Sequence, residues 1–309
     1  MKIYNLNTQS DFNQRKLCLT VGNFDGIHKG HQYIIKKITK LADENKLQSA
    51  ILSFNPHPKI FFNNSEESFN ILTKEKKLNL LKEFGISIYL DFVFDLQLSS
   101  LSAEDFIENI LVKKLDVQII VIGEDFRFGK DRTGDLNLLN ELSKKYNFKV
   151  IVIESIRIQD SNENYSSTNI RGQIKKGLFE KVNFALGCVW QMSGKVVKGD
   201  QRAGKMNFPT ANIVPPDQIL PLKGVYCVNA IINHKKYSGI SNFGERPTVD
   251  GSKLLLETHI FDFNENIYGK ELTVEFLTFI RAERKFENFE KLTEQITKDI
   301  ITAKTYHKL

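Results

Sequence analysis

LCLTVGNFDGIHKGHQYIIKKITKLA, residues 17–42, decides how the first half of this chain folds. It opens on an unbroken apolar run, Leu17–Val21, turns at Gly22, and continues with apolar residues at helical spacing. Ile34, Ile35, Ile38, Leu41 and Ala42 fall on one face of that helix, and Lys36, Lys37 and Lys40 fall on the other. Strands buried on both faces of a parallel sheet read as continuous apolar runs. The segment is therefore a strand, a tight turn and an amphipathic helix.

The same texture recurs. Apolar runs at Ala50–Phe54, Ile86–Val93, Val117–Ile122 and Phe148–Ile153 alternate with helix-period segments. One of these opens at Ser102 with Asp105 three residues on, a weak capping signature, and another spans about Gly134 to Tyr146. Strand and helix in alternation give βαβ units, hence an α/β, Rossmann-like domain on a parallel sheet. Ligands of such sheets bind at the carboxyl ends of the strands.

After about residue 187 the strands follow one another through short turns: Val189–Val197, Val225–Ile232, Tyr237–Phe243, Leu254–Phe263 and Leu272–Ile280. This predicts an antiparallel β-barrel or sandwich, covered by a terminal helix from about Phe286 to Lys304. Helices over about Thr168 to Leu186 lead up to the boundary. The expected domains are residues 1–186 and 187–309, in keeping with a length of 309 residues.

Composition narrows the classes. Hydrophobic residues make up 41% and charged residues 26%, enough to bury two cores, and the net charge is +6. The lysines are scattered and form no stripe, so a solvated surface is expected in place of a nucleic-acid footprint. Cys18, Cys188 and Cys227 form no short-spaced pair, which argues against a disulfide framework and a zinc site. Cys18 and Cys227 sit in apolar runs as small core residues. No apolar stretch approaches the roughly 20 residues needed to span a bilayer. A soluble cytoplasmic protein with no membrane partner is expected.

The chemistry centres on GNFDGIHKGH, residues 22–31. Gly22, Gly26 and Gly30 let the backbone turn tightly and approach a ligand. The helix start that follows offers unpaired N–H groups and a positive dipole end to an anion. His28 and His31, three apart, face the same side, where two imidazoles can stabilise charge on a reacting phosphate.

This segment resembles the HxGH signature of nucleotidyltransferases and, more narrowly, the N-terminal domain of bacterial bifunctional riboflavin kinase/FAD synthetases. FNPHP at 54–58, IGEDFRFGKDRTGD at 122–135 and SSTNIR at 166–171 support the narrower match. The resemblance implies transfer of AMP from ATP to FMN, giving FAD and pyrophosphate, with magnesium. His28 and His31 would stabilise the transferred phosphate. Gly22, Phe24, Asp25, Ser167, Thr168 and Arg171 would bind ATP, and His57, Asp125 and Phe128 the flavin, with Phe128 stacking on its ring.

The second half is similar to the family's riboflavin kinase domain, through NFPTANI at 207–213, GVYCV at 224–228, SNFGERPTV at 241–249, LETHIFDF at 256–263, YGKEL at 268–272 and FIRAERKF at 279–286. There the resemblance implies phosphorylation of riboflavin to FMN. Thr210 and Asn212 would hold magnesium and ATP, Glu257 would be the general base, His259 would line the site, and Arg281 would contact flavin or phosphate. The loop GDQRAGKMNFPTAN departs from the family pattern: Asn207 replaces a glycine before FPTAN, and Ala203-Gly204 replaces a Gly-Arg pair. The departure bears on kinase efficiency and not on the domain's identity. HxGH alone leaves open another acceptor, such as a phosphopantetheine or nicotinamide nucleotide. A basic barrel leaves open a non-enzymatic, nucleic-acid-binding reading.

Overall fold

The computed structural model describes residues 1–7, 16–63, 68–154, 156, 164–198, 208–248 and 251–309. The chain forms two compact units, residues 1–67 with 74–166, and residues 68–73 with 167–309.

The first unit is a six-stranded, wholly parallel sheet in the order β1-β4-β3-β2-β5-β6. Its strands are β1 (Lys2–Asn5), β2 (Leu17–Val21), β3 (Gln48–Asn55), β4 (Ile88–Val93), β5 (Val117–Gly123) and β6 (Lys149–Ile153). The helices between them are α1 (Lys29–Glu44), α2 (Pro58–Asn63), α3 (Lys74–Glu83), α4 (Leu96–Ser99), α5 (Ala103–Asp105), which runs on as a π-helix over Phe106–Lys114, and α6 (Leu136–Tyr146). Leu17, Leu19, Ala50, Leu52, Ile88, Leu90, Ile120 and Ile122 point to one buried face, packed against Phe106, Ile107 and Leu139. The helix ends are written locally. Ser102 Oγ accepts from the Asp105 amide at 3.0 Å and donates to its carboxylate at 2.8 Å, and Asp135 Oδ1 caps α6 by accepting from the Leu138 amide at 3.0 Å. From β2 the chain passes through β3 to β4 on one side, and β5 then lies on the other. The sheet order therefore reverses between β2 and β5, and a crevice opens at their carboxyl ends.

The second unit begins with α7 (Ser167–Lys175) and α8 (Phe179–Leu186) and continues into an antiparallel sheet in the order β7-β12-β9-β10-β11-β8. These strands are β7 (Gln191–Lys195), β8 (Ala211–Ile213), β9 (Gly224–Ile232), β10 (Lys235–Thr248), β11 (Gly251–Ile260) and β12 (Glu271–Ala282). Val197, just past β7, donates its N–H to the Asn212 carbonyl of β8 at 2.8 Å, which joins the two edge strands into a barrel. Phe179 of α8 packs on Trp190, Tyr226 and Phe276 with centroids 4.9–5.4 Å apart. On the opposite strand face, Val225, Cys227 and Ile240 bury Ala303 and Ile300 of α9 (Phe289–His307). Cys18 and Cys227 are core residues, and burial pushes both thiols up to about 12.

Residues 68–73 belong to this second unit although they are encoded among the strands of the first. Three of their carbonyls are captured. Phe69 O accepts from Arg171 Nε (2.9 Å), Asn70 O from the Ile219 amide (2.8 Å), and Ile71 O from both Trp190 Nε1 (2.8 Å) and Gln218 Nε2 (2.7 Å). Ile71 and Gln218 are fully buried, so these bonds are made out of water, where losing a partner costs most. Gln218→Ala is expected to destabilise the second unit by about 1–3 kcal/mol. Urea denaturation followed by the fluorescence of Trp190, the only tryptophan, measures this directly, and an unchanged midpoint would show the segment to be loosely held.

Candidate functional site

In the first unit the turn after β2 is the most constrained piece of backbone. Phe24 (φ 49°), Gly26 (φ 88°) and Ile27 (φ 42°) all hold positive φ, a conformation that costs a β-branched or bulky residue free energy. The turn is fastened from several sides. Gly22 N–H donates to Leu52 O (2.9 Å), Asn23 Oδ1 accepts from the Phe54 amide (2.9 Å), Lys77 Nζ donates to Asn23 O (3.3 Å), and Gln32 Nε2 donates to Ile27 O (2.9 Å). Phe24, Asp25 and His28 are buried as a result.

His28 is the N-cap of α1: its Nδ1 accepts the His31 amide at 3.3 Å. A neutral ring with Nδ1 accepting carries its proton on Nε2. The His28 and His31 rings stack with centroids 3.6 Å apart and 19° between planes, and Phe24 backs His31 at 4.8 Å. Gly30 has a steric reason. A Cβ there would lie 3.1 Å from His28 Nδ1 and 3.3 Å from Tyr165 Cβ.

The other segments expected to bind ligand also lie at carboxyl ends. After β3, His57 starts α2, accepting the Lys59 amide on Nδ1 (3.0 Å) and the Ile60 amide on its carbonyl (2.8 Å). After β5, Asp125 is exposed, while the loop closes on itself through paired bonds between Phe128 and Gly134 (3.2 and 2.9 Å). Phe128 corrects one expectation. It is only 7% exposed and packs on Phe106, so its ring is part of the core and not an open stacking face. The half-buried ring stacked on it is Phe126, at 5.3 Å and 21°. Sequence reading also passed over an aromatic group beside His57. Phe54, Phe61 and Phe62 all meet Phe94, with centroids 5.3–5.7 Å apart, and Phe62 is 66% exposed. The Phe61-Phe62 pair shortly after PHP was the available signal.

SSTNIR straddles the two units: Ser166 closes the first, and Ser167, Thr168 and Arg171 open the second on α7. Arg171 is buried, and its guanidinium lies 3.6 Å over the Phe69 ring.

In the second unit, register places the expected residues together. Asn212 of β8 pairs with Glu257 of β11, which pairs with Asn242 of β10, and directly opposed residues share a face. That face lies opposite the one on which Ser241 and Thr258 are buried and bonded to each other (2.7 Å). Asn212 is 4% exposed, and its Oδ1 has no hydrogen-bond partner among the described residues; Asn242 Oδ1 is likewise buried and unmatched. Thr210, just before β8, lines a cleft of about 310 Å³ with Val196, Ile260, Phe263, Asn264 and Tyr268. His259 Nδ1 sits 2.9 Å from Pro209 O beside that cleft. Asn207 and Ala203-Gly204 lie outside the described residues. Sequence reading missed Arg246, which binds Glu257 through Nε (2.8 Å) and Nη2 and reaches Glu283 with Nη1 (3.2 Å). Burial works against its charge, but Glu257 and Glu283 outweigh that and raise its pKa.

Arg281 has another partner than the one expected. Its Nε and Nη2 clasp the Asp299 carboxylate of α9 at 2.7–3.0 Å, and Asp299 is 3% exposed. The pair pins the terminal helix to β12. Removing one member of a buried pair strands the other, so Asp299→Ala should cost about 3–5 kcal/mol, read from a lower denaturation midpoint of the second unit.

A reversing parallel sheet with stacked histidines at its central helix start, followed by a barrel with an oxygen-rich face, defines a two-part nucleotide-using enzyme. The comparisons agree. A family model described as FAD synthetase matches residues 10–169, and one described as riboflavin kinase matches residues 186–307. The bifunctional riboflavin kinase/FMN adenylyltransferase of Buchnera aphidicola subsp. Schizaphis graminum is 39% identical over 94% of both chains. That of Haemophilus influenzae is 36% identical over 93% of both. The chain belongs to the bifunctional riboflavin kinase/FMN adenylyltransferase family. A crystal structure from Streptococcus pneumoniae, of a protein called a macrolide-efflux protein, superposes with a TM-score of 0.87 at 30% identity over 98% of this chain and 99% of that one. Among the described residues of the present chain no helix is long and apolar enough to cross a membrane.

Proposed function

We propose that this chain phosphorylates riboflavin to FMN in residues 187–309 and adenylylates FMN to FAD in residues 1–186. The observation that carries the reading is that each family-matched half holds its own phosphate-chemistry group: the stacked His28–His31 pair in one, the Asn212–Glu257 row in the other. Two such groups match the two successive reactions and favour FMN over the other acceptors and over a nucleic-acid role.

For adenylyl transfer, a phosphate oxygen of FMN attacks the α-phosphorus of ATP. The α–β phosphoanhydride bond breaks and pyrophosphate leaves. His28 Nε2–H and the His31 ring, held by the cap and the stack, donate to the oxygens on which charge grows. Gly22, Phe24 and Asp25 are proposed to shape the turn against the triphosphate. The flavin ring is proposed to lie near His57 and Asp125, against the exposed Phe62 and the half-buried Phe126, whose accessibility supports them over Phe128.

For phosphorylation, Glu257 takes the proton of the riboflavin 5′-hydroxyl, the oxygen attacks the γ-phosphorus, and ADP leaves. The donors fit magnesium: all are hard oxygens, and Asn212 Oδ1 is buried without a partner among the described residues. Thr210 and Asn212 would hold it, and it would neutralise charge on the transferring phosphate. The cleft beside Thr210 suits the rest of ATP.

Replacing both His28 and His31 by alanine should abolish FAD formation while FMN accumulates from riboflavin and Mg-ATP. Glu257→Gln should stop FMN formation yet leave FAD formation from supplied FMN. Chromatography of the flavins distinguishes these outcomes. Loss of both activities from either change, in a folded protein, would overturn the two-site assignment.

A further inference from the structure

We propose that Arg246, locked between Glu257 and Glu283, is a positioning residue for the kinase reaction. The inference rests on the reading of Glu257 as general base. Both contacts from Arg246 to Glu257 fall on Oε2, through Nε at 2.8 Å and Nη2, so Oε1 is the oxygen left to receive a proton. A carboxylate with two rotatable torsions beyond Cβ would otherwise sample several orientations on a barrel surface. The guanidinium is planar and rigid, and two of its donors converging on one oxygen anchor Oε2 and so restrict the carboxyl group.

Arg246 is itself held from its other side. Nη1 donates to Glu283 Oε1 at 3.2 Å and to Glu245 O at 3.0 Å, and Asn242 Nδ2 donates to the same Glu283 oxygen at 3.3 Å. Glu283 follows β12, Arg246 lies on β10 and Glu257 on β11, so three separate chain segments converge on one cation. A glycine makes the convergence possible. Gly244 lies between Asn242 and Arg246 on the same strand face, and the Glu283 carboxylate occupies the place where a Cβ at residue 244 would stand. Any side chain there would push Glu283 away and release Arg246 on that side. The pair of carboxylates also keeps the arginine from neutralising the face completely: one cation stands against Glu257 and Glu283, leaving net negative charge for a divalent ion beside Asn212.

The charge and packing could serve the barrel alone, and the kinetics separate that case. In the full-length protein, Arg246→Met should lower kcat for FMN formation by about 100-fold, the usual cost of a misplaced catalytic group. The KM values for riboflavin and Mg-ATP should stay within about twofold, because the interaction acts on orientation and not on ground-state binding. Arg246→Lys, which keeps the charge but loses the fork, should recover only part of the rate. Gly244→Ala, which displaces Glu283, should also lower kcat with KM unchanged. FAD formation from supplied FMN should be untouched in all three, and an unchanged urea midpoint followed by Trp190 fluorescence reports that the second unit is folded. An unchanged kcat in Arg246→Met, a raised KM at constant kcat, full rescue by lysine, or parallel loss of both activities would each overturn the proposal. Wild-type FMN formation by Glu257→Gln would instead overturn the general-base reading on which it rests.

Discussion

The turn that follows β2 is bent against the preferences of its own residues, and much of the first unit serves to hold it there. Two non-glycine residues, Phe24 and Ile27, keep positive φ. Such strain persists only where the surroundings over-determine the conformation. The surroundings here are the amide of Phe54 on β3, the ammonium of Lys77 on α3 and the side chain of Gln32 on α1, each bonded to the turn. The sheet, with its fully buried Leu19, Leu52 and Ile120, supplies the stability that offsets this local cost. What the strain achieves is placement. It brings His28 to the helix start with Nδ1 turned inward and lets His31 stack on it.

The second unit solves the opposite problem, of presenting polar groups on a surface made mostly by apolar strands. Strand alternation sends Leu256, Thr258 and Ile213 to one face and Glu257 and Asn212 to the other. A one-residue slip in β8 or β11 would exchange these sets, so burial of Ile213 and Leu256 fixes the register of the polar row. Glu257 and Asn212 are thus aligned by residues that take no part in chemistry. The terminal helix is kept by a different device, the buried Asp299 clasped by Arg281.

Element type was legible in the amino-acid sequence wherever periodicity was strong. Leu17–Val21, the helix behind His28 and the antiparallel strands after residue 187 all follow from apolar spacing and turn residues. Four elements escaped because they carry little pattern: β1, largely exposed, the four-residue α4, and α2 and α3, which bury no residue and one residue. Among candidate site residues, His28 and His31 could be named from a motif at a helix start, and Asn212 and Glu257 from motifs on strands. Phe128 and Arg281 could not be judged, since an aromatic or a cation at a strand end looks the same whether it faces a ligand or a neighbour. Arg246 went unremarked because its partners, Glu257 and Glu283, lie 11 and 37 residues away.

By itself the sequence determined the two fold types, their order along the chain and the family, because these depend on local periodicity and on contiguous motifs. Tertiary structure alone decided which side chains meet. It took residues 68–73 out of the α/β sequence and gave them to the second unit, by matching their carbonyls to Arg171, Trp190 and Gln218. It also paired Arg246 with Glu257 across strands. Both are hydrogen-bond accounts settled between distant segments, and no local pattern encodes which distant donor satisfies a buried acceptor.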